Sequence, residues 1–331
     1  MSRCADDQGE VEFGSVSPTF PVHPLRLYFP DVPDLPLPAG HRFPAGKYRM
    51  LRDLVAGDAV LGRARLIASP AASVAELELA HAPDYVAAIL TGAASPDIMR
   101  RIGLPWSPTL VARSRATVGG AVAAARAALA DGLSGQLAGG THHAHRDFGS
   151  GYCVFNDLAV AALAMLAERR VRRIAIVDLD VHQGDGNAAI LGGRPDVFVL
   201  SLHGERNFPF RKVASTLDIA LADGTDDDRY LRALGEGLAA VARFEPELIL
   251  YLSGADPLAT DTLGRLALTF DGLIARDRLV LELARRERIP ISIAVGGGYA
   301  DPISDSVTAY ANTFRVAIGV FARPLTAAGA T

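Results

Sequence analysis

Nineteen residues near the middle of the chain, Gly139–Asp157, are rich in side chains that can do chemistry. The segment GGTHHAHRDFGSGYCVFND contains three histidines, two aspartates, four glycines and a cysteine. Histidine binds divalent metals and titrates close to neutral pH, so the segment could hold a metal ion or transfer protons. A crowded loop whose histidines only satisfy one another is the alternative that the segment leaves open.

A second segment, VDLDVHQGDG, predicts a metal site. Asp180 and His182 are separated by one residue, so in an extended chain both side chains project to the same side and can reach one ion. An oxygen and an imidazole nitrogen suit zinc or ferrous iron, and a catalytic zinc site takes three protein ligands. Asp256, in LSGADP, is the candidate for the third ligand, although taken alone it is more typical of a helix cap or a turn.

The adjacent histidines His142 and His143 are candidates for acid–base chemistry. Hydrolysis by an activated water needs a base for the water proton and an acid for the leaving group. Asp178 and Asp185, which flank the proposed metal ligands, could each accept a hydrogen bond from one imidazole and fix its tautomer. Five of the eight histidines lie between residues 142 and 203, and this clustering favours catalysis over a surface loop.

Two further histidines receive no catalytic role. His145 lies beside Arg146 and Asp147, so we expect it to be a solvent-facing loop residue. His203 follows a strand-like run and is either a supporting group near the site or a buried, hydrogen-bonded side chain.

The segment VGGGYA brings Tyr299 to the end of another apolar run. Its hydroxyl could donate a hydrogen bond to a developing oxyanion, with ordinary packing as the alternative. Tyr152 and Phe208 also follow polar segments and could line a slot for an extended aliphatic chain. From spacing alone, core packing is the simpler interpretation of those two rings.

Composition and charge exclude several classes of protein. The chain has 331 residues, a formal net charge of −4 and a pI near 6.1, which gives no basic surface for nucleic acid or an anionic membrane. Two cysteines cannot form a disulfide framework in so long a chain, so a reducing cytoplasm is expected. The amino terminus lacks an apolar signal-peptide core, and no apolar run is long enough to span a bilayer.

The order of predicted elements indicates an α/β fold with a mostly parallel sheet and helices on both faces. Helices are predicted at 47–56, 108–131, 157–170, 226–243, 271–287 and 307–321. Strands are predicted in RIAIVDLD, VFVLSLH, ELILYLSG and PISIAVGGG, with a proline-rich loop over residues 31–46. We expect one catalytic domain over residues 21–322, between a disordered terminus at 1–20 and a flexible tail at 323–331.

Taken together, GGTHHAHRDFGSGYCVFND, DLDVHQGDG, SLH, GADP and GGGY resemble the metal-dependent histone deacetylase superfamily, in that family's order and over roughly residues 22–320. HRFPAGKYRMLRDL resembles the class IV branch and its bacterial relatives in particular. The resemblance implies the single-domain arginase/deacetylase fold.

The resemblance also implies roles for individual residues. Asp180, His182 and Asp256 would bind zinc; His143 would be the general base and then acid, with His142 as its electrostatic partner. Asp178 would pair with His142 and Asp185 with His143, while Tyr299 would polarise the amide carbonyl. Gly151, Tyr152 and Phe208 would line the acyl-lysine channel. A structural potassium ion is implied at Asp178, Asp180, His182, Ser201 and Leu202.

Some positions depart from the family pattern. Thr141 replaces a bulkier residue, Gln183 stands where a second histidine is common, and Lys47 stands where many members have an arginine in the product-release cavity. The loop ERNFPF is short, and the segment PLATDTLGRLALT offers no clear acid at the rim for gripping a peptide. These departures concern the choice of substrate rather than the chemistry.

The sequence therefore predicts a zinc-dependent amidohydrolase, with ferrous iron as an alternative metal, acting on acyl-lysine. An acetylpolyamine or other small-molecule amidohydrolase is the first alternative. An arginase-like ureohydrolase with two manganese ions and a non-catalytic binder are weaker ones. The oligomeric state, the acyl-chain length and the physiological substrate stay open.

Overall fold

A computed structural model describes residues 24–322 of the chain, which contain one eight-stranded sheet with helices on both faces. The expectations for residues 1–20 and 323–331 lie outside the described residues. All strand pairs are parallel, and the strand order is β2-β1-β3-β8-β7-β4-β5-β6. The strands are β1 Arg26–Phe29, β2 Arg65–Ala68, β3 Leu133–Gln136, β4 Ile174–Asp178, β5 Val197–Gly204, β6 Leu217–Leu221, β7 Leu248–Ser253 and β8 Ile291–Val295.

The helices alternate with these strands along the chain. They are α1 Lys47–Gly57, α2 Val74–Glu78, α3 Pro83–Thr91, α4 Pro96–Ile102, α5 Pro108–Asp131, α6 Asp157–Ala167, α7 Asp185–Leu191, α8 Asp227–Phe244, α9 Phe270–Arg286 and α10 Ile303–Phe321. In the part of the chain that the structure describes, no helix is long and apolar enough to cross a membrane.

Alternation along the central strands builds two hydrophobic layers, one on each face of the sheet. In β4, Ile174 and Ile176 join the layer that includes Val118 of α5, whereas Ala175 and Val177 join the opposite layer with helices α8, α9 and α10. Every residue of β4 is buried, as is typical of a parallel strand covered on both faces. The apolar run that predicted this strand is a consequence of that double burial.

The predicted fold class is confirmed, and the helix over 108–131 has the predicted bounds. Helix α6 ends three residues before the predicted 170, and α10 begins at Ile303, directly after Pro302, rather than at 307. Strands β1, β2, β3 and β6 were not predicted. Each has only four or five residues, which is too short for a hydrophobic period to stand out.

The four adjacent strands β3, β8, β7 and β4 end at the same edge of the sheet. The polar segments predicted to carry chemistry follow the carboxyl ends of these strands, where ligands bind in open α/β sheets. The register pairs Asp178 of β4 with both Ser201 of β5 and Leu252 of β7.

Candidate active site

Asp180, His182 and Asp256 form a compact group beyond the ends of β4 and β7. Their ligand atoms all lie within 4.8 Å of one another, and within residues 24–322 this is the one group of three that could hold a metal. The His182 Nδ1 atom lies 2.9 Å from Asp180 Oδ1 and 3.1 Å from Asp256 Oδ2. Both carboxylates are fully buried, and the imidazole is half-buried.

Backbone groups hold both carboxylates in place. The amide of Val181 donates to Asp256 Oδ1 at 2.9 Å, and the amide of Gly297 donates to Asp180 Oδ2 at 2.5 Å. A Cβ atom at Gly297 would lie 1.9 Å from Asp256 Oδ2, so a glycine is required for the loop after β8 to pass this close.

The charges at this group fit a bound divalent cation. Burial and the neighbouring Asp180 charge raise the pKa of Asp256 to about 7. Burial opposes charge on His182, but the two carboxylates outweigh it and raise the pKa of His182 to about 10. Two buried carboxylates converging on one point need a positive charge between them, and a divalent metal with oxygen and nitrogen ligands supplies it.

Beside this group, two histidine–aspartate pairs lie next to each other. His142 Nδ1 donates to Asp178 Oδ2 at 2.8 Å, and His143 Nδ1 donates to Asp185 Oδ1 at 2.6 Å. The two ring centroids are 4.2 Å apart. The structure thus brings together the pairs that the family resemblance implies. Because Nδ1 of each ring is bonded to its aspartate, Nε2 can meet other groups, and that of His142 lies 3.8 Å from Asp180 Oδ1.

The two histidines differ in charge. Burial opposes charge on His142, but the nearby Asp178 and Asp180 carboxylates raise its pKa to about 9. Burial and the neighbouring His142 lower the pKa of His143 to about 4, despite its bond to Asp185. At neutral pH, His143 is therefore the ring that can accept a proton, because neighbouring environments have driven the two pKa values apart.

The expectation for His145 was wrong. Its Nε2 atom donates to Asp185 Oδ2 at 3.0 Å, its ring stacks on Phe148 with centroids 4.3 Å apart, and its side chain is 14% exposed. Its neighbours Arg146 and Asp147 are exposed, and their charges indicated a surface position for His145 as well. The His145 side chain instead turns inward, toward the Asp185 oxygen that His143 does not use.

Tyr299 lines the same cavity as the two catalytic candidates His142 and His143. Burial raises the pKa of its hydroxyl well above the ordinary value, so the group stays a hydrogen-bond donor. Asp261 accepts the backbone amide of Tyr299 at 2.6 Å, and it also accepts the amides of Leu263 and Gly264. The acid in PLATDTLGRLALT therefore uses both carboxylate oxygens to bind backbone amides of the surrounding loops.

Lys47 lies under the same loop and is almost fully buried. Its Nζ atom donates to the carbonyl of Gly298 and to the hydroxyl of Tyr310, each at 3.1 Å, and lies 4.8 Å from the centroid of the Tyr299 ring. The Tyr310 hydroxyl in turn donates to the carbonyl of Gly296 at 2.8 Å. The lysine thus ties α1 to the segment that carries Tyr299.

The three channel candidates, Gly151, Tyr152 and Phe208, all line a cavity of about 780 Å³ that reaches His143 and Tyr299. Phe208 meets the His143 ring edge-on at 4.9 Å, and Tyr152 packs 6.1 Å from Tyr299. Gly151 has a φ of +53°, and a Cβ there would lie 2.8 Å from His143 Cδ2. A side chain at this position would crowd the histidine.

The residues expected to bind potassium lie on the neighbouring strands β4 and β5 and in the loop after β4. Ser201 and Leu202 are fully buried, and Ser201 Oγ lies 3.0 Å from His203 Nδ1. His203 is therefore a buried, hydrogen-bonded side chain, and burial lowers its pKa to about 4. Binding of potassium here stays a prediction.

Two supporting residues near His142 and His143 were missed by sequence reasoning. Asp157 accepts the amides of Gly140 and Thr141 and the Thr141 hydroxyl, and so fixes the turn before the histidines. His81 Nδ1 donates to the carbonyl of His145, and His81 Nε2 accepts the amide of Asn156. Asp157 could have been found, because a helix was predicted to start there. His81 lies 64 residues before its partner His145, so no local pattern of sequence indicates that contact.

Comparisons with known proteins agree on one family. The sequence model of the histone deacetylase domain matches residues 41–314. An uncharacterised protein of Picosynechococcus sp. is 43% identical over 303 residues, which cover 91% of this chain and 99% of the relative. A histone deacetylase-like amidohydrolase of Pseudomonas aeruginosa is 31% identical over 80% of this chain and 74% of its own length. Histone deacetylase 2 of Arabidopsis thaliana is 30% identical over 81% of this chain and 73% of its own length.

The fold and the site define an α/β protein with a candidate metal site beside two histidine–aspartate pairs. The chain belongs to the histone deacetylase family. The family resemblance drawn from the motifs and the arginase/deacetylase fold are thereby confirmed. Membership of this family supports a deacetylase or amidohydrolase activity for the chain.

Proposed function

We propose that the protein is a zinc-dependent deacylase that hydrolyses the amide of acyl-lysine in a protein or peptide. The observation that carries the proposal is the juxtaposition of the Asp180, His182 and Asp256 group with two histidine–aspartate pairs around one cavity. Asp180, His182 and Asp256 would hold the metal. A bound zinc ion would act as a Lewis acid toward the amide carbonyl, and ferrous iron could take its place.

His143 is the proposed general base and acid. Asp185 holds its Nδ1 atom, so Nε2 is the atom that accepts the proton of the attacking water and later returns it to the departing amine. The lowered pKa of His143 keeps the ring neutral before the reaction. His142, charged and paired with Asp178, would offset the negative charge that develops beside it.

Tyr299 is the proposed donor to the carbonyl oxygen. Its protonated hydroxyl would stabilise the oxyanion as the carbonyl carbon becomes tetrahedral. Gly151, Tyr152 and Phe208 would enclose the aliphatic part of the acyl-lysine, since all three line the cavity that leads to His143. We also propose a structural potassium ion at Asp178, Asp180, His182, Ser201 and Leu202.

A substrate panel tests the proposal. The zinc-loaded protein is assayed with an acetyl-lysine peptide, longer acyl-lysine peptides and an acetylpolyamine, alongside the variants His143→Ala and Tyr299→Phe. We expect turnover of the acyl-lysine peptides and a loss of at least about 10²-fold in kcat for His143→Ala. A loss below about tenfold would contradict the role of His143, and turnover of the acetylpolyamine alone would reassign the substrate.

A further inference from the structure

The cavity that leads to the proposed catalytic residues has an unexpected charge. Five arginines line it: Arg42, Arg101, Arg113, Arg206 and Arg265. Asp180, a proposed metal ligand, is the one carboxylate among the described lining residues. The chain as a whole has a formal net charge of −4, so the positive lining is opposite to the average of the molecule.

Little of this positive charge is neutralised by the protein. Arg206 and Arg265 share one carboxylate, because their guanidinium groups lie 3.8 Å and 3.2 Å from the same oxygen of Asp223. Arg101 packs over the ring of Phe148 at 4.9 Å. Among residues 24–322, no carboxylate forms an ion pair with Arg42, Arg101 or Arg113.

Arg113 extends the positive charge into the interior. This residue of α5 is only 9% exposed and lies over the Tyr48 ring at 4.3 Å. A cleft with walls of low polarity focuses the field of such charges, so the site attracts anions from a distance.

The mouth of the cavity also presents an apolar contact. Phe210 is 86% exposed and meets Phe208 edge-on at 6.2 Å, on the segment that follows Arg206. An exposed aromatic ring next to arginines fits a peptide, which offers apolar and anionic groups together, better than a small inorganic anion.

We propose that the deacylase selects acyl-lysines that are flanked by acidic residues, with Arg206, Arg265, Arg101 and Arg42 contacting the flanking carboxylates. Arginine suits this task because its guanidinium binds a carboxylate through two parallel hydrogen bonds. The same charges disfavour basic peptide tails and polyamines. The proposal rests on the proposed function and narrows its substrate class.

Three peptides of equal length test the proposal. All carry one central acetyl-lysine, and the four nearest flanking residues are glutamate, glutamine or lysine. At about 20 mM salt, we expect kcat/KM for the acidic peptide to exceed that for the neutral one by about tenfold, with the basic peptide lowest. At about 300 mM salt the differences should shrink to about twofold, because exposed charges are screened.

A double variant, Arg206→Gln with Arg265→Gln, should bring the acidic-to-neutral ratio close to one at low salt. The matched control is Arg172→Gln with Arg194→Gln, which removes two exposed, ion-paired arginines that precede β4 and β5 at the opposite edge of the sheet. The control should keep the wild-type ratio. Equal or reversed preference in the wild type, or an unchanged ratio in the double variant, overturns the proposal.

A failure of the proposed function gives a different pattern. If the zinc-loaded protein hydrolyses none of the three peptides, the deacylase assignment fails, and binding of the same peptides with a fluorescent label is measured instead. Tighter binding of the acidic peptide, lost in the double variant, would still support the charge preference. Equal binding of all three peptides would reject it.

Discussion

Asp185 accepts hydrogen bonds from two histidines, one on each carboxylate oxygen. His143 lies 2.6 Å from one oxygen and His145 lies 3.0 Å from the other. Burial alone would raise the pKa of Asp185, but these two hydrogen bonds lower it overall. The carboxylate therefore stays charged and fixes the His143 ring, while His145 fixes the carboxylate.

The substitution Asp185→Asn should lower kcat by about 10- to 100-fold, because an amide cannot hold the Nδ1–H of His143 as a carboxylate does. His145→Gln, which leaves the bond to His143 intact, should cost about threefold at most. Steady-state kinetics against pH separate the two variants, because only Asp185→Asn should shift the acid limb of the kcat profile. An equal loss in both variants would mean that Asp185 has a purely structural role.

These residues also mark the limit of sequence reasoning at this scale. The residues alone predicted that Asp178 and Asp185 each accept a hydrogen bond from one imidazole, and the family resemblance implied which histidine pairs with which aspartate. His145 could not be placed, since its direction depends on which oxygen of Asp185 the adjacent pair leaves free. That information exists only after the loop and the start of α7 have packed together.

At the scale of elements, His81 connects three parts of the molecule. It follows α2, is fully buried, donates to the backbone of His145 and accepts the amide of Asn156, the N-cap of α6. Because both ring nitrogens bond to the backbone, the neutral tautomer is fixed. Burial is the main cause that lowers the pKa of His81 to about 4.

The stability of the protein should therefore fall in mild acid. The unfolded chain binds a proton at His81 near pH 6.5 and the folded chain only near pH 4, so stability is full above 6.5 and decreases as the pH falls toward 4. Over this pH range, protonation of His81 should lower the free energy of unfolding by about 3 kcal/mol. Denaturant unfolding at several pH values measures how the free energy of unfolding changes with pH.

The variant His81→Leu isolates this contribution from those of other histidines. It should be less stable than the wild type at pH 7 by about 2 kcal/mol, because two backbone groups lose their partners. Because the wild type loses about 3 kcal/mol as the pH falls from 6.5 to 4, the gap should close in this range and the variant should become the more stable protein near pH 4. Parallel stability curves would show that His81 does not titrate as its burial requires.

Lys47 connects α1 to the loop after β8, as His81 connects its own neighbours. Replacing it with methionine removes both bonds to Gly298 and Tyr310. We expect kcat to fall by about tenfold or more with a smaller change in KM, because a displacement of Tyr299 affects the reacting carbonyl rather than initial binding. Tyr310→Phe removes one bond to the loop and one to the lysine, and it should have a smaller effect. A larger change in KM than in kcat for Lys47→Met would place the lysine in substrate binding instead.

The elements themselves were predictable where one hydrophobic period ran long enough. Helix α8 extends over 18 residues with one apolar face, and its bounds lie within one residue of the prediction. The four-residue strands β1 and β3 carry no such pattern, and they pair with each other across more than 100 residues of the chain. Their existence depends on the completed sheet, which no local window of sequence contains.

At the scale of the whole molecule, the candidate metal site depends on segments that meet only in the folded chain. Asp180 follows β4 and Asp256 follows β7, and the amide of Gly297, after β8, holds Asp180. The register of three adjacent strands thus sets the distances between the ligand atoms. Stability of the fold and occupancy of the site are coupled for this reason.

Removal of the metal should therefore lower Tm. Without a metal, the protonated His182 alone offsets the buried carboxylates of Asp180 and Asp256, and burial together with the Asp180 charge still raises the pKa of Asp256. Zinc present at about 1,000 times its Kd should stabilise the chelator-treated protein by about 4 kcal/mol. Thermal unfolding with and without zinc measures the change, and elemental analysis should give one zinc ion per chain.

The variant Asp256→Asn separates binding at this site from binding elsewhere. Asparagine can still accept the amide of Val181 through its side-chain oxygen, but it removes one of the two buried charges. The metal-free variant loses both the repulsion from Asp180 and the attraction to His182, so its stability should lie close to that of the metal-free wild type, yet it should gain little from zinc. If zinc raises the Tm of the variant as much as that of the wild type, the ion binds somewhere other than Asp180, His182 and Asp256.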